Sequence, residues 1–229
     1  IMNVLAFDTC FDACSVAAGR GLRSLAPSIV FLYEPMSSGQ AERLVPMIEE
    51  ALAATGMAAG DLDRIAVTCG PGTFTGTRIA VSAARALALV VGAPIVPVST
   101  LHLMAMDPAA NASGADELAI ATDARRGEVY MERFDPHTLQ SRAPAAAFKV
   151  EEAARRLSGK SIVVAGSGAS AVAAAARGLG KDVRAIAPHL LPDSADVLFL
   201  ATRMMHFSSV QAFYLRPPDA KPQINAVPA

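Results

Sequence analysis

Residues 70–78 read Gly-Pro-Gly-Thr-Phe-Thr-Gly-Thr-Arg and stand between a buried apolar run and a helix-forming segment. Glycines so placed let the backbone turn tightly and aim several N–H groups, at a helix N-terminus, toward a phosphate or carboxylate. Gly70, Gly72, Thr75 and Gly76 are the candidate contacts. No Gly-Lys-Ser/Thr follows, so this is not a Walker-type phosphate loop. Read without a ligand, the same loop is a rigid connector in which glycine only permits close packing. Asp8 with Thr9, and Asp123 with Arg125, each follow a further apolar run. In a kinase-like cleft such acids hold magnesium-bound water near phosphates; alone, an aspartate at a strand end caps a turn.

The remaining reactive side chains do not converge. His102, His137, His189 and His206 are never four residues apart, and none stands at metal-ligand spacing from a cysteine. Cys10, Cys14 and Cys69 are few and odd in number, as expected of reduced thiols rather than a disulfide framework. Gly166-Ser167-Gly168 is too short for a nucleophile elbow and has no nominated base. No catalytic residue and no metal site is assigned.

The elements that must position these residues alternate along the chain. Residues 4–8 and 14–18 read as a hairpin with polar groups at its tip, and 28–32 as a third strand. Residues 40–55 carry Leu44, Met47, Ile48, Ala51 and Leu52 at helical spacing, with Gly56 as a stop. A strand over 62–69 feeds the glycine loop and a helix over 79–91, followed by a strand at 94–98 and a short helix at 101–106. After the loose stretch 108–114 the opening pattern recurs: strand 118–122, a polar turn at 123–127, and a returning strand 128–134. A strand at 162–165 then leads through 166–168 into an alanine-rich helix, and 193–205 reads as a last helix. The expected division is an N-terminal lobe, 1–107, and a C-terminal lobe, 108–229, whose proline-rich tail from Pro217 runs over the surface. Repetition of the hairpin makes Asp8 and Asp123 counterparts. It points to an α/β fold with mixed sheets flanked by helices, in the two-lobed, duplicated arrangement of the sugar-kinase and actin superfamily.

The helix over 79–91 is apolar nearly all round, with Ser82 and Arg85 its polar residues, so it calls for cover on more than one side. Ala80, Ala83, Ala84 and Leu87, with Leu44, Met47, Ile48 and Leu52 of the preceding helix, are the candidate interface. The 79–91 segment is too short to cross about 30 Å of hydrocarbon. With Ile1 preceding an apparent natural start at Met2, no signal segment is expected, and a cytoplasmic protein without membrane attachment is expected. A formal net charge of -1 excludes a global basic field able to hold a polyanion by charge alone.

Several strings together resemble the TsaB family, bacterial proteins of tRNA threonylcarbamoyladenosine biosynthesis. These are 7–9 with 13–16 (Phe-Asp-Thr, Ala-Cys-Ser-Val), 42–48 (Glu-Arg-Leu-Val-Pro-Met-Ile), the glycine loop 70–78, and 123–130 (Asp-Ala-Arg-Arg-Gly-Glu-Val-Tyr). The stretch 213–222 is similar to the family's tail. Gln40 is a departure, since many members have histidine there. The family's catalytic relative, TsaD, carries a His-x-x-x-His metal pair where this chain has Thr100 and Met104. The resemblance implies a non-catalytic subunit that pairs with a TsaD-like paralogue and a small ATPase of the TsaE type. Together they would transfer threonylcarbamoyl to the adenosine beside the anticodon. It further implies self-association as a homodimer when alone, indirect contact with tRNA, and no certain cofactor, ATP or ADP acting at the level of the complex. The alternative is an independent nucleotide-binding phosphotransferase. A metallopeptidase conflicts with the replaced ligand pair.

Overall fold

The computed structural model describes residues 2–203, 206–207 and 209–216. The tail from residue 217, and the end of the helix expected over 193–205, lie outside them.

Strand β1 (Met2–Asp8) is apolar on both faces because helices cover both, and it forms the centre of a five-stranded sheet. It pairs antiparallel with β2 (Ala13–Leu22), which pairs antiparallel with β3 (Ser28–Pro35). On its other side β1 pairs parallel with β4 (Arg64–Thr68), and β4 with β5 (Ile95–Val98), giving the order β3-β2-β1-β4-β5. The second sheet repeats this plan. Its centre is β6 (Glu117–Asp123), flanked antiparallel by β7 (Glu128–Phe134) and then β8 (Ser141–Lys149). The parallel side is β9 (Ser161–Ala165) and β10 (Asp182–Ile186), in the order β10-β9-β6-β7-β8. Two copies of one mixed topology establish the duplicated architecture, with Asp8 and Asp123 each ending a central strand.

Helices α1 (Gln40–Thr55) and α2 (Phe74–Val91) cover one face of the first sheet. Helices α4 (Val150–Arg156) and α5 (Ala169–Gly178) cover one face of the second. The other face of the first sheet is covered by α3 (Thr100–Met106), which also reaches the second lobe's core, and by α6 (Ser194–Ala201). Helix α3 gives Leu103 to the first lobe's inner core and Leu101, Met104 and Ala105 to the second lobe's. Helix α6 packs Val197, Leu198 and Ala201 against Val4, Ala6 and Ala17 of the first sheet. All strands of the first sheet precede residue 108 and all of the second follow it, but the expected split at 107/108 does not hold for these two helices.

Helix α2 starts earlier than its apolar periodicity suggests. Thr73 caps it, its hydroxyl accepting from the Gly76 N–H at 3.1 Å, so Phe74 to Arg78 are already helical. The added turn makes α2 18 residues, long and apolar enough to cross a bilayer, which corrects the shorter expectation. Gly76, Thr77, Ala80, Val81 and Ala84 are nonetheless buried in the first lobe.

The expected interface is corrected in part. Leu44, Met47, Ile48, Leu52, Ala80 and Ala84 are buried in the lobe's own core, and Ala83 and Leu87 are half-buried against it. The large apolar side chains these helices leave exposed are Val45 on α1 and Phe74, Leu89 and Val90 on α2.

Candidate functional site

The β1–β2 corner and the glycine loop are built against each other. Thr9 Oγ1 donates to the Gly76 carbonyl at 2.7 Å, and the Thr73 N–H donates to the Cys10 carbonyl at 2.7 Å. A Cβ on Gly76 would stand 1.9 Å from the Thr9 carbonyl oxygen, and one on Gly72 would stand 2.5 Å from that of Cys10. Only glycine allows either approach. The loop's glycines therefore serve contact between protein backbones, with the Gly76 N–H engaged by the Thr73 hydroxyl and the N–H of the capping Thr73 by the Cys10 carbonyl.

Asp8 lies beneath this contact with no exposed surface. One of its oxygens accepts from the Thr68 hydroxyl and from the Cys10 N–H at 3.3 Å; the other has no partner among the described residues. Burial pushes its pKa up to about 6, against the pull of the Thr68 and Cys10 hydrogen bonds and with a small push from Asp193. The nucleotide cleft expected from Asp8, Thr9, Gly70, Gly72, Thr75, Gly76 and Asp123 is corrected accordingly. Asp8, Thr9, Gly70 and Gly76 are enclosed by protein and Gly72 is half-buried, whereas Thr75 and Asp123 are exposed. Asp123 belongs to the second lobe's own loop: its N–H donates to Ser167 Oγ at 2.9 Å and its carboxylate accepts from the Arg125 N–H at 2.8 Å.

The second loop mirrors the first. Gly70 and Gly166 take φ of 106° and 103°, a conformation open to glycine. Helix α3 is wedged between the two loops. The Thr100 N–H donates to the Gly70 carbonyl at 3.0 Å, and its hydroxyl donates to the Pro71 carbonyl. Met104, buried, lies 3.6 Å from where a Cβ on Gly166 would be. The two positions at issue for metal binding thus hold a hydroxyl committed to the backbone and a thioether in an apolar core. His102, midway between them in sequence, is half-buried with its ring edge-on to Phe134 at 5.6 Å, and burial lowers its pKa. Among the described residues no group of three or more His, Cys, Asp or Glu side chains converges. This donor set does not fit a transition metal.

The thiols are no better suited to attack. Burial pushes Cys14 up to about 12 and Cys69 up to about 11, and Cys10 rises well above the ordinary range through burial and the neighbouring Asp8 charge. Gln40 makes a local link, its amide donating to the Phe11 and Met36 carbonyls at 3.3 and 3.2 Å.

Sequence reasoning gave no role to the segment after α6. Residues 209–216 return across the glycine loop: the Phe213 N–H donates to the Cys69 carbonyl at 2.7 Å, and Arg216 pairs with Glu128 of the second lobe. The signal was present in two aromatics followed closely by arginine, but nothing local indicates what they meet.

Residues 34–158 match the family model described as TsaD, tRNA N6-adenosine threonylcarbamoyltransferase. Over 212 residues the chain is 32% identical to the tRNA threonylcarbamoyladenosine biosynthesis protein TsaB of Escherichia coli K12, covering 89% of this chain and 87% of that one. Two solved structures from Pseudomonas aeruginosa are similar. One, described as an uncharacterized protein with similarity to peptidase YEAZ, superposes with a TM-score of 0.78 at 30% identity, covering 94% of this chain and 100% of its own. The other, described as YeaZ, gives 0.72 at 31% identity, covering 88% and 91%.

Proposed function

The chain belongs to the TsaB family of tRNA threonylcarbamoyladenosine biosynthesis proteins, and from that membership we propose that it serves the pathway as a non-catalytic partner subunit. Its partner in this reading is a TsaD-like paralogue, which carries the metal and the chemistry, with a TsaE-type ATPase supplying nucleotide turnover in the cytoplasm. One observation carries the proposal. Thr100 and Met104, where the resemblance sets a metal-binding histidine pair in the catalytic relative, are both occupied in holding the fold. A subunit freed from holding a metal can use α3 as a rivet between its two glycine loops.

The competing readings are weaker on this site. A phosphotransferase needs an acid and backbone donors open to phosphate, but Asp8 is buried and the loop is filled by the β1–β2 corner. A peptidase, suggested by the description of a structural neighbour, needs a nucleophile beside a base. The cysteines are held as neutral thiols, and His102 packs on Phe134. For the surface that meets the paralogue, or a second copy in its absence, we propose the outer faces of α1 and α2, where Val45, Leu89 and Val90 are exposed.

The test is co-purification with the TsaD-like paralogue, followed by tRNA modification with and without this chain. The expected result is a stable complex whose modification activity disappears when the chain is omitted. Turnover of ATP or peptide by the purified chain alone, abolished by Asp8→Ala, would return it to the enzymes.

A further inference from the structure

The strap formed by residues 209–216 assembles a surface that neither lobe has alone. Val210 is buried in the first lobe's core and anchors the strap. Tyr214 then lies beside Phe74 at the start of α2, their ring centroids 5.6 Å apart, with the Arg78 guanidinium 3.5 Å over the Phe74 ring and its Nε donating to the Tyr214 hydroxyl at 2.8 Å. Both rings remain exposed, by 48% for Phe74 and 43% for Tyr214. Two residues later Arg216 reaches the second lobe, pairing with Glu128 and the Ala124 carbonyl at the base of the β6–β7 turn.

The tip of that turn is Arg125-Arg126, both exposed and both left-handed, with φ of 61° and 56°. A left-handed residue other than glycine is disfavoured because its Cβ crowds the following carbonyl oxygen, and Asn-Gly would meet the same geometry with little strain. The fold holds the arginines there through the Asp123 carboxylate on the Arg125 N–H and the Glu128 N–H on the Arg125 carbonyl at 3.0 Å. Lys149 joins them, its ammonium 3.2 Å from the Arg126 carbonyl and 3.1 Å from Glu128. Among the described residues, Arg78, Arg125, Arg126 (which has a further interaction of its own), Lys149 and Arg216 gather here with the carboxylates Asp123 and Glu128, on a chain whose formal net charge is -1.

Cations gathered beside flat exposed rings suit an unpaired RNA loop: arginine takes the phosphates and a ring takes a base laid open by the loop. A paired helix hides its base faces, and an acidic peptide would use the charges but not the rings. We propose that this strap-built surface contacts an unpaired loop of RNA directly, so that the subunit holds part of the tRNA and not only the paralogue. The choice of RNA rests on the tRNA-modification reading; the surface itself does not.

The test uses the full chain, alone and in complex with the TsaD-like paralogue, titrated by fluorescence anisotropy with an unmodified tRNA transcript at several salt concentrations. The variant Arg125→Asn with Arg126→Gly removes two cations while relaxing the turn, so loss of folding does not confuse the result. It should weaken binding by roughly tenfold or more and lower the salt slope by about two, near one for each phosphate no longer neutralised. Tyr214→Ala should weaken binding with the slope unchanged. Lys160→Ala with Arg184→Ala, which removes exposed cations by β9 and β10 on the far side of the second sheet, should have no effect. Three results would overturn the proposal: unchanged affinity and slope in the turn variant, no binding by wild type in either form at low salt, or a turn variant that no longer binds the paralogue yet binds RNA as before. The last would make the surface a protein interface. If modification requires the chain but RNA does not bind this surface, the partner reading stands and this inference falls; binding without any requirement in modification gives the reverse.

Discussion

Asp8 brings a carboxylate into a place shielded from water and gives one of its two oxygens no partner among the described residues. Its pKa is near 6 in the fold, against an ordinary 3.8, so the folded chain holds the proton more tightly than the unfolded chain. The contribution to stability is therefore fully present below about pH 4 and is lost as pH rises through about 6. At about 1.4 kcal/mol for each pH unit, the loss above pH 6 is about 3 kcal/mol. Asp8→Asn keeps the shape, and its amide oxygen can still accept from Thr68. It is expected to raise stability by roughly 1–3 kcal/mol at pH 7.5 and to leave it nearly unchanged at pH 4. Urea unfolding of both proteins at the two pH values checks this, and an equal change at both would rule out the charge as the cause. The position of Asp8 at a strand end, and its likeness to Asp123, were legible from the apolar runs that precede them. Its burial was not. That depends on the glycine loop closing over residues 8–10 and on α6, which arrives from residue 194 to cover the same sheet.

Helix α2 shows why a periodic pattern locates an element better than it orients one. Alanine and valine on nearly every side mark 79–91 as helix and as needing cover, but they leave open which side faces the sheet. The sheet took Ala80, Val81 and Ala84, and left Leu89 and Val90 exposed at 87% and 82%. The first turn was missed because Thr73 and Gly76 read as loop residues, whereas Thr73 is the cap. Strand β8 was missed for a related reason. Its Ser-Arg-Ala-Pro-Ala-Ala-Ala-Phe-Lys has little intrinsic strand character and forms on the edge that β7 offers. The burial pattern gives the interface proposal a sharp form. Leu89→Glu with Val90→Glu should leave the melting temperature within a few degrees of wild type, yet weaken binding to the paralogue and self-association by roughly tenfold or more, since both side chains already face solvent. Ala84→Glu should instead destabilise the monomer by several kcal/mol, because it drives a lone charge into the core. Thermal melts and sedimentation velocity separate the two. Wild-type association by the folded double variant would move the interface off this end of α2.

At the scale of the whole molecule, the duplication is plain in the sheets and broken in the helices. The repeat of hairpin, glycine loop and helix was readable because each unit is local in sequence. The crossing of α3 and α6 was not, because a short apolar helix carries no mark of which of two similar sheets it will cover. The crossing has a thermodynamic consequence. A fragment ending at residue 107 keeps every strand of the first sheet but lacks α6, so the face formed by Val4, Ala6, Ala17 and Ala66 loses Val197, Leu198 and Ala201. It also carries α3, whose Leu101, Met104 and Ala105 belong to the other core and would be left in water. At about 1.5–3 kcal/mol for each large apolar side chain buried, the missing packing matches much of the roughly 5–15 kcal/mol by which a domain is stable. The expected behaviour of fragment 1–107 is a state without cooperative unfolding, open to proteolysis and to binding of an apolar dye. The same fragment joined through a flexible linker to residues 193–216 should regain a cooperative transition, since α6 and the strap both return to the first lobe. Circular dichroism in urea and limited proteolysis of the two fragments decide the matter. If 1–107 alone unfolds as sharply as the linked form, the first lobe folds without α6, and that helix only covers a core complete without it.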